Sequence, residues 1–112
     1  MLNWKEYRGA VVKRVGDLRG LVPEVIEGYA ALATSGEKST HLDGKTREMI
    51  ALAVAVTTRC DGCIASHVEA AIKHGATREE LAEALGVAIA LNAGAALVYS
   101  ARTLDAFEQM SA

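Results

Sequence analysis

One proline, Pro23, is all that interrupts a chain of 112 residues. Proline is the residue a helix interior tolerates least, and alanine the one it accommodates best. Alanine dominates the second half of this sequence. β-branched residues come in ones and twos, not in the alternating runs of a half-buried strand. The sequence therefore predicts an all-α fold of about six helices. At this length residues 1–112 form a single domain.

Residues 3–15 carry Trp4, Tyr7, Ala10, Val11 and Val12 at helical spacing, with Asn3 as cap. Gly16 and Gly20 loosen the next few residues. Pro23 suits a first helical turn, and a second helix runs on to Thr34. Ser35 to His41 is a polar loop and a candidate hinge or lid. Asp43 caps a third helix that reaches about Thr57. Its Met49, Ile50, Ala53, Val54 and Val56 spread around the circumference, so burial on more than one side is expected. Arg59 marks a tight corner, and Cys60 opens a fourth helix that runs to His74 and ends at Gly75. Thr77-Arg-Glu-Glu is a capping box, in which the Glu80 side chain can reach back to the Thr77 N–H. It starts a fifth helix through about Leu91. Asn92, Ala93 and Gly94 mark a break before a sixth helix, Ala95 to about Met110.

The net charge of −2 and pI of 5.9 provide no basic stripe, so no nucleic-acid partner is expected. The start, Met-Leu-Asn-Trp-Lys-Glu, lacks a signal pattern. The most apolar stretch, Leu85 to Tyr99, is interrupted by glycines and Asn92 and is too short to span a bilayer. The expectation is a cytoplasmic protein without a membrane partner. Apolar residues make up 51% of the chain, more than one small core hides. Large apolar patches are disfavoured on monomers, so a homo-oligomer is expected. The alanines and glycines of residues 86–96 make slim helices that pack closely, within the chain or between copies.

Chemistry concentrates in residues 57–67, Thr-Thr-Arg-Cys-Asp-Gly-Cys-Ile-Ala-Ser-His. On a helix, Cys60, Cys63 and His67 share one face. A thiol reacts as its thiolate, and a free cysteine has a pKa of about 8.5. Unpaired N–H groups in a first helical turn favour the negative charge, and a histidine one turn along can take the proton. Cys63, four residues before His67, is the candidate nucleophile. Cys60 is placed to close a disulfide onto it, with Gly62 giving the backbone slack. If the corner lies near residue 59, Glu48 is about 16 Å back along one helix and His67 about 12 Å forward along the next. The two then stand at similar heights, and Glu48 can orient the imidazole. Two other readings stay open. Cys60, Cys63 and His67 could supply three ligands to zinc, although a fourth is missing and His74 is roughly 10 Å from His67. Both cysteines could instead be inert core residues.

Glu48, Cys60-Asp-Gly-Cys63 and His67 together match the E-x11-C-x-x-C-x-x-x-H pattern. In this the chain resembles the AhpD-like alkylhydroperoxidases of the carboxymuconolactone decarboxylase superfamily. Lys45-Thr-Arg-Glu-Met-Ile-Ala and Ala70-Ala-Ile-Lys-His-Gly-Ala-Thr-Arg-Glu-Glu-Leu are similar to the flanks in that family, and the resemblance runs from about Leu42 to Ala106. It implies an AhpD-like helical domain assembled as a trimer or hexamer. It implies that Cys63 is oxidised by a small hydroperoxide, that Cys60 resolves it as a disulfide, and that Glu48 and His67 relay protons. No cofactor is tightly bound on this reading; an external dithiol, a lipoyl protein or a thioredoxin-like partner, supplies the electrons. One position departs. The best-studied branch has a histidine just before the second cysteine, where this chain has Gly62. The implied relay is shorter by one member, which leaves a general disulfide-reductase role open. The decarboxylase branch, acting on a small organic acid or lactone, typically lacks the cysteine pair.

Among the other residues, His41 falls in the polar loop and can reach a site only as part of a lid. His74 falls in a last helical turn, where a cation is favoured. Arg59 can support a thiolate or sit in solvent. Trp4 and Tyr7 cover the core or a subunit boundary, and Tyr99 is expected in the core with its hydroxyl paired.

Overall fold

The computed structural model describes residues 1–38 and 41–112. Among the described residues five α-helices succeed one another: α1 (Trp4–Leu21), α2 (Pro23–Thr34), α3 (Gly44–Thr58), α4 (Asp61–Lys73) and α5 (Arg78–Ser111). A short 3-10 turn, Ser35–Lys38, comes after α2. It occupies part of the expected loop, and Ser39 and Thr40 lie outside the described residues. The fold is all-α, with no strand among the described residues.

Each start obeys local chemistry. The Asn3 side chain accepts from the Glu6 N–H at 3.2 Å, Asp43 from Thr46 at 2.8 Å, and Thr77 from Glu80 at 3.1 Å. Pro23 occupies the first turn of α2. Half of the expected capping box is rerouted. The Glu80 carboxylate pairs with Lys45 Nζ at 3.1 Å and so ties the start of α5 to the start of α3. An ammonium is a stronger partner for a carboxylate than a neutral N–H.

The expected break at Asn92–Gly94 does not occur; α5 is one helix of 34 residues. Asn92 is held inside it. Its amide donates to the Ala88 carbonyl at 2.7 Å and to Thr57 Oγ1 at 2.9 Å. A mid-helix glycine costs only about 1 kcal/mol relative to alanine, and the alanines around Gly94 favour helix. Likewise α1 continues through Gly16 and Gly20. An unbroken α5 is about 51 Å long. By length and composition it could cross a bilayer, so the apolar stretch is not too short for one.

Helix α3 packs on α4 and α5, and α1 packs on α2 and α4. The buried apolar residues are Leu52, Ala55, Ala65, Ala71 and Ala88, so close approach of alanine faces replaces a core of large side chains. Helix α3 is covered by α4 and by α5, as burial on more than one side requires, but its remaining face is open within the chain: Ile50 and Val54 are about half exposed. Tyr99 is also exposed, and the Arg102 guanidinium stands 5.0 Å from its ring centroid. Trp4 and Tyr7 meet edge to face at 6.3 Å.

Helices α3 and α4 both end in a backbone bond closed across a left-handed residue. At the end of α4, the Ala76 N–H bonds the Ala71 carbonyl and the Gly75 N–H bonds Ile72, with Gly75 at φ +79°. This is a Schellman ending with glycine at its left-handed position. At the end of α3, the Cys60 N–H bonds the Ala55 carbonyl at 3.0 Å, and the left-handed residue is Arg59, at φ 54° and ψ 49°. A non-glycine residue there costs roughly 1–2 kcal/mol. Arg59→Val, which adds branching at Cβ, should lower stability by about a further 1–2 kcal/mol. Arg59→Gly should stay within about 0.5 kcal/mol of the original, because relief of the left-handed cost offsets glycine's freedom in the unfolded chain. Urea unfolding at matched protein concentration reads both.

Candidate functional site

The corner at Arg59 determines where the cysteines sit. Cys60 is both the residue that closes α3 and the N-cap of α4. Its N–H bonds Ala55, its carbonyl accepts from Ile64 at 2.9 Å, and its sulfur accepts from the Cys63 N–H at 3.2 Å. Cys60 and Cys63 are joined as a disulfide with Cα atoms 5.2 Å apart. The Cys63 N–H at the start of α4 therefore acts on Cys60 Sγ, whereas proximity to His67 in sequence favours Cys63 as the more activated thiol.

Helices α3 and α4 run antiparallel, since Gly44 meets His74, Glu48 meets His67 and Ala55 meets Cys60. His67 Nδ1 and Glu48 Oε2 are 2.6 Å apart, a short bond between an imidazole and a carboxylate. Glu48 is the less exposed of the two, at 18% of its side chain against 40% for His67. With Nδ1 engaged, Nε2 is the nitrogen left to serve the groove that His67 shares with the two cysteines.

That groove encloses about 480 Å³ between α1 and α4. Val11, Val12 and Val15 of α1 and Tyr29 of α2 form its apolar wall. Ser66 and Arg19 line it as well. The sequence reading missed these wall residues. The i, i+4 spacing of Val11 and Val15 was visible, but nothing in the sequence said which element that face would meet.

Gly62 lies within the first turn of α4 in right-handed conformation, so the slack expected of it is not used. Its value is its size. A Cβ built there would meet only Val11 Cγ1, at 3.8 Å, so the side chain is missing from the floor of the groove.

Behind Glu48 lies a second, polar cavity of about 830 Å³, lined by His41, Asp43, Arg47 and His74 as well as by Glu48 itself. His74 is the C-cap of α4, and its ring packs on the backbone of Gly44; a Cβ at Gly44 would run into it. Hydrogen bonds from Thr46 hold the Asp43 carboxyl below its usual range, with smaller help from Lys45 and His74. Glu48 thus borders both the polar cavity and, through His67, the cysteine groove. His41 lines the polar cavity and not the groove. Arg59 is exposed and absent from the groove wall. Among the described residues no three His, Cys, Asp or Glu side chains form a metal-binding group.

Comparison with known proteins places this arrangement. Residues 23–106 match the carboxymuconolactone decarboxylase family. An uncharacterized protein of Haemophilus influenzae is 50% identical over 110 residues, covering 98% of this chain and 97% of its own. The crystal structure of a carboxymuconolactone decarboxylase family protein from Legionella pneumophila, in its apo form, is 38% identical. It superposes with a TM-score of 0.75 over 97% of both chains. A Methanobacterium thermoautotrophicum protein is 32% identical with a TM-score of 0.69, covering 75% of this chain and 94% of its own. The chain is an AhpD-like member of the carboxymuconolactone decarboxylase family.

Proposed function

We propose that this protein is a thiol-dependent peroxidase, with Cys63 as the attacking and Cys60 as the resolving thiol. The observation that carries the reading is the 2.6 Å His67–Glu48 bond beside a disulfide in one groove. The Cys63 thiolate attacks a hydroperoxide oxygen. An S–O bond forms and the O–O bond breaks, leaving Cys63 as a sulfenic acid. The departing alkoxide takes a proton from His67 and leaves as an alcohol. Cys60 then attacks Cys63 Sγ as a thiolate; the S–S bond forms, and hydroxide leaves and is protonated to water. The N–H of Cys63 at Cys60 Sγ supports this second thiolate, since hydrogen bonds to a charged form favour it. Glu48 orients His67 and carries protons between it and the polar cavity behind. A small dithiol, free or on a lipoyl or thioredoxin-like protein, returns two electrons and two protons to the disulfide. The reducing cytoplasm is where such a donor is found.

Cys63→Ser should abolish hydroperoxide consumption and leave helicity unchanged. Cys60→Ser should trap Cys63 as a sulfenic acid or mixed disulfide, visible by mass spectrometry. Glu48→Gln should lower kcat by about a hundredfold, at the low end of acid–base contributions, and leave the disulfide able to form. Full turnover in Cys63→Ser would refute the reading.

We further propose that the protein works as a homo-oligomer, a trimer or hexamer. A compact monomer of this mass exposes about 5,900 Å²; this chain exposes 8972 Å². Its radius of gyration is 18.6 Å, against about 13 Å for a compact domain. The excess, about 3,000 Å², is of the size an obligate interface buries. Helix α5 carries the largest share of the exposed apolar side chains, among them Leu97, Val98, Leu104, Phe107 and Met110. Beside it, Ile50, Val54, Val87 and Leu91 line an apolar cleft of about 450 Å³. Sedimentation without detergent should give three or six chains per particle. A stable monomer, or one that partitions into lipid vesicles, would assign α5 a different role.

A further inference from the structure

The cysteine groove has two unlike ends. Val11 lies against Gly62 and so marks the reactive end. Val11, Val15 and Arg19 stand at i, i+4 and i+8 on one face of α1, and all three line the groove. Arg19 is therefore about 12 Å along the helix axis from the level of Val11. The groove-lining residues between these ends on α1 are apolar or glycine, and Tyr29 of α2 flanks them. Among the described residues no aspartate or glutamate lines the groove. Arg19 takes part in none of the ion pairs among the described residues.

A ligand that fills such a site carries its reactive bond at one end, an apolar body in the middle and an anion at the other. We propose that the groove selects hydroperoxides of unbranched carboxylic acids, with Arg19 as the residue that recognises the carboxylate. This rests on the peroxidase reading and narrows its substrate class. Guanidinium and carboxylate match in geometry as well as charge. The exposed rim position of Arg19 limits the gain, as it does for other solvent-screened pairs. Arg19 also lies in the last turn of α1, where a cation is favoured for the helix alone. A purely structural role would change stability and leave substrate preference untouched.

The test compares 10-hydroperoxydecanoic acid, with its carboxylate and hydroperoxide at opposite ends of an unbranched chain, with its methyl ester and with tert-butyl hydroperoxide, using the native oligomer below the aggregation threshold of the acid. Arg19→Gln should raise KM for the acid about fivefold, leave kcat unchanged and leave both neutral substrates unaffected. Arg19→Lys should recover most of the preference, and added salt should erode it. Equal KM for acid and ester in the unaltered protein, or equal change for both in Arg19→Gln, would overturn the proposal. Binding of the corresponding hydroxy acid to the disulfide form, measured by calorimetry, separates this proposal from the reading beneath it. Saturable binding weakened by Arg19→Gln supports the groove assignment even if no hydroperoxide is turned over. Absence of such binding alongside turnover of tert-butyl hydroperoxide sinks the carboxylate selection and leaves the peroxidase standing.

Discussion

The Ala55 carbonyl accepts the Arg59 and Cys60 N–H groups, and the rest of the site depends on that bond pair. It stops α3, turns the chain through one left-handed residue and leaves Cys60 already in place to cap α4. Because the connection is so short, the two helices must return alongside each other. Residues at matched heights then meet, and Glu48 and His67 are such a pair. Alanines at 55, 65 and 71 are buried nearby. Small side chains let the helix axes approach closely enough for a carboxylate and an imidazole to share a bond of 2.6 Å. The corner keeps a left-handed arginine in spite of its cost, which the packing around it sustains.

Much of this was legible in the residues. Asn3, Asp43 and Thr77 announce their helices because capping is a local matter. Gly75 ends α4 for the same reason. The Glu48–His67 meeting was readable from counting along two helices of known rise, once a corner at residue 59 was granted. What failed did so where a local signal was overruled by a contact from elsewhere. Asn92 looks like a helix breaker until Thr57 and Ala88 accept its amide. Glu80 looks like half of a capping box until Lys45 takes it. Tyr99 looks like core because its neighbours are apolar, but α5 carries it beyond the reach of α3. Gly62 read as slack and proved to be empty space, a property of its surroundings that no local pattern encodes.

The architecture divides the labour between two sides of one helix pair. On one side of the α3–α4 seam, α1 and α2 build a groove that is apolar except at its ends. On the other side a polar cavity with two histidines meets solvent. Glu48 and His67 form a single bonded step between them. On the peroxidase reading, the polar cavity gives protons somewhere to come from and go to. Within one chain, α5 has a single buried residue, Ala88. On this account assembly supports the site indirectly, by fixing α3 from its far side.

On the proposed function, Cys60 and Cys63 act together within one chain as a peroxide-driven dithiol. The most direct measurement adds one equivalent of hydroperoxide to fully reduced protein under anaerobic conditions, then counts thiols and maps the linkage by mass spectrometry. Two thiols per chain should disappear for each peroxide consumed, with Cys60 bonded to Cys63 of the same chain. Thiols that survive the peroxide, or disulfides that form only between chains, would contradict it.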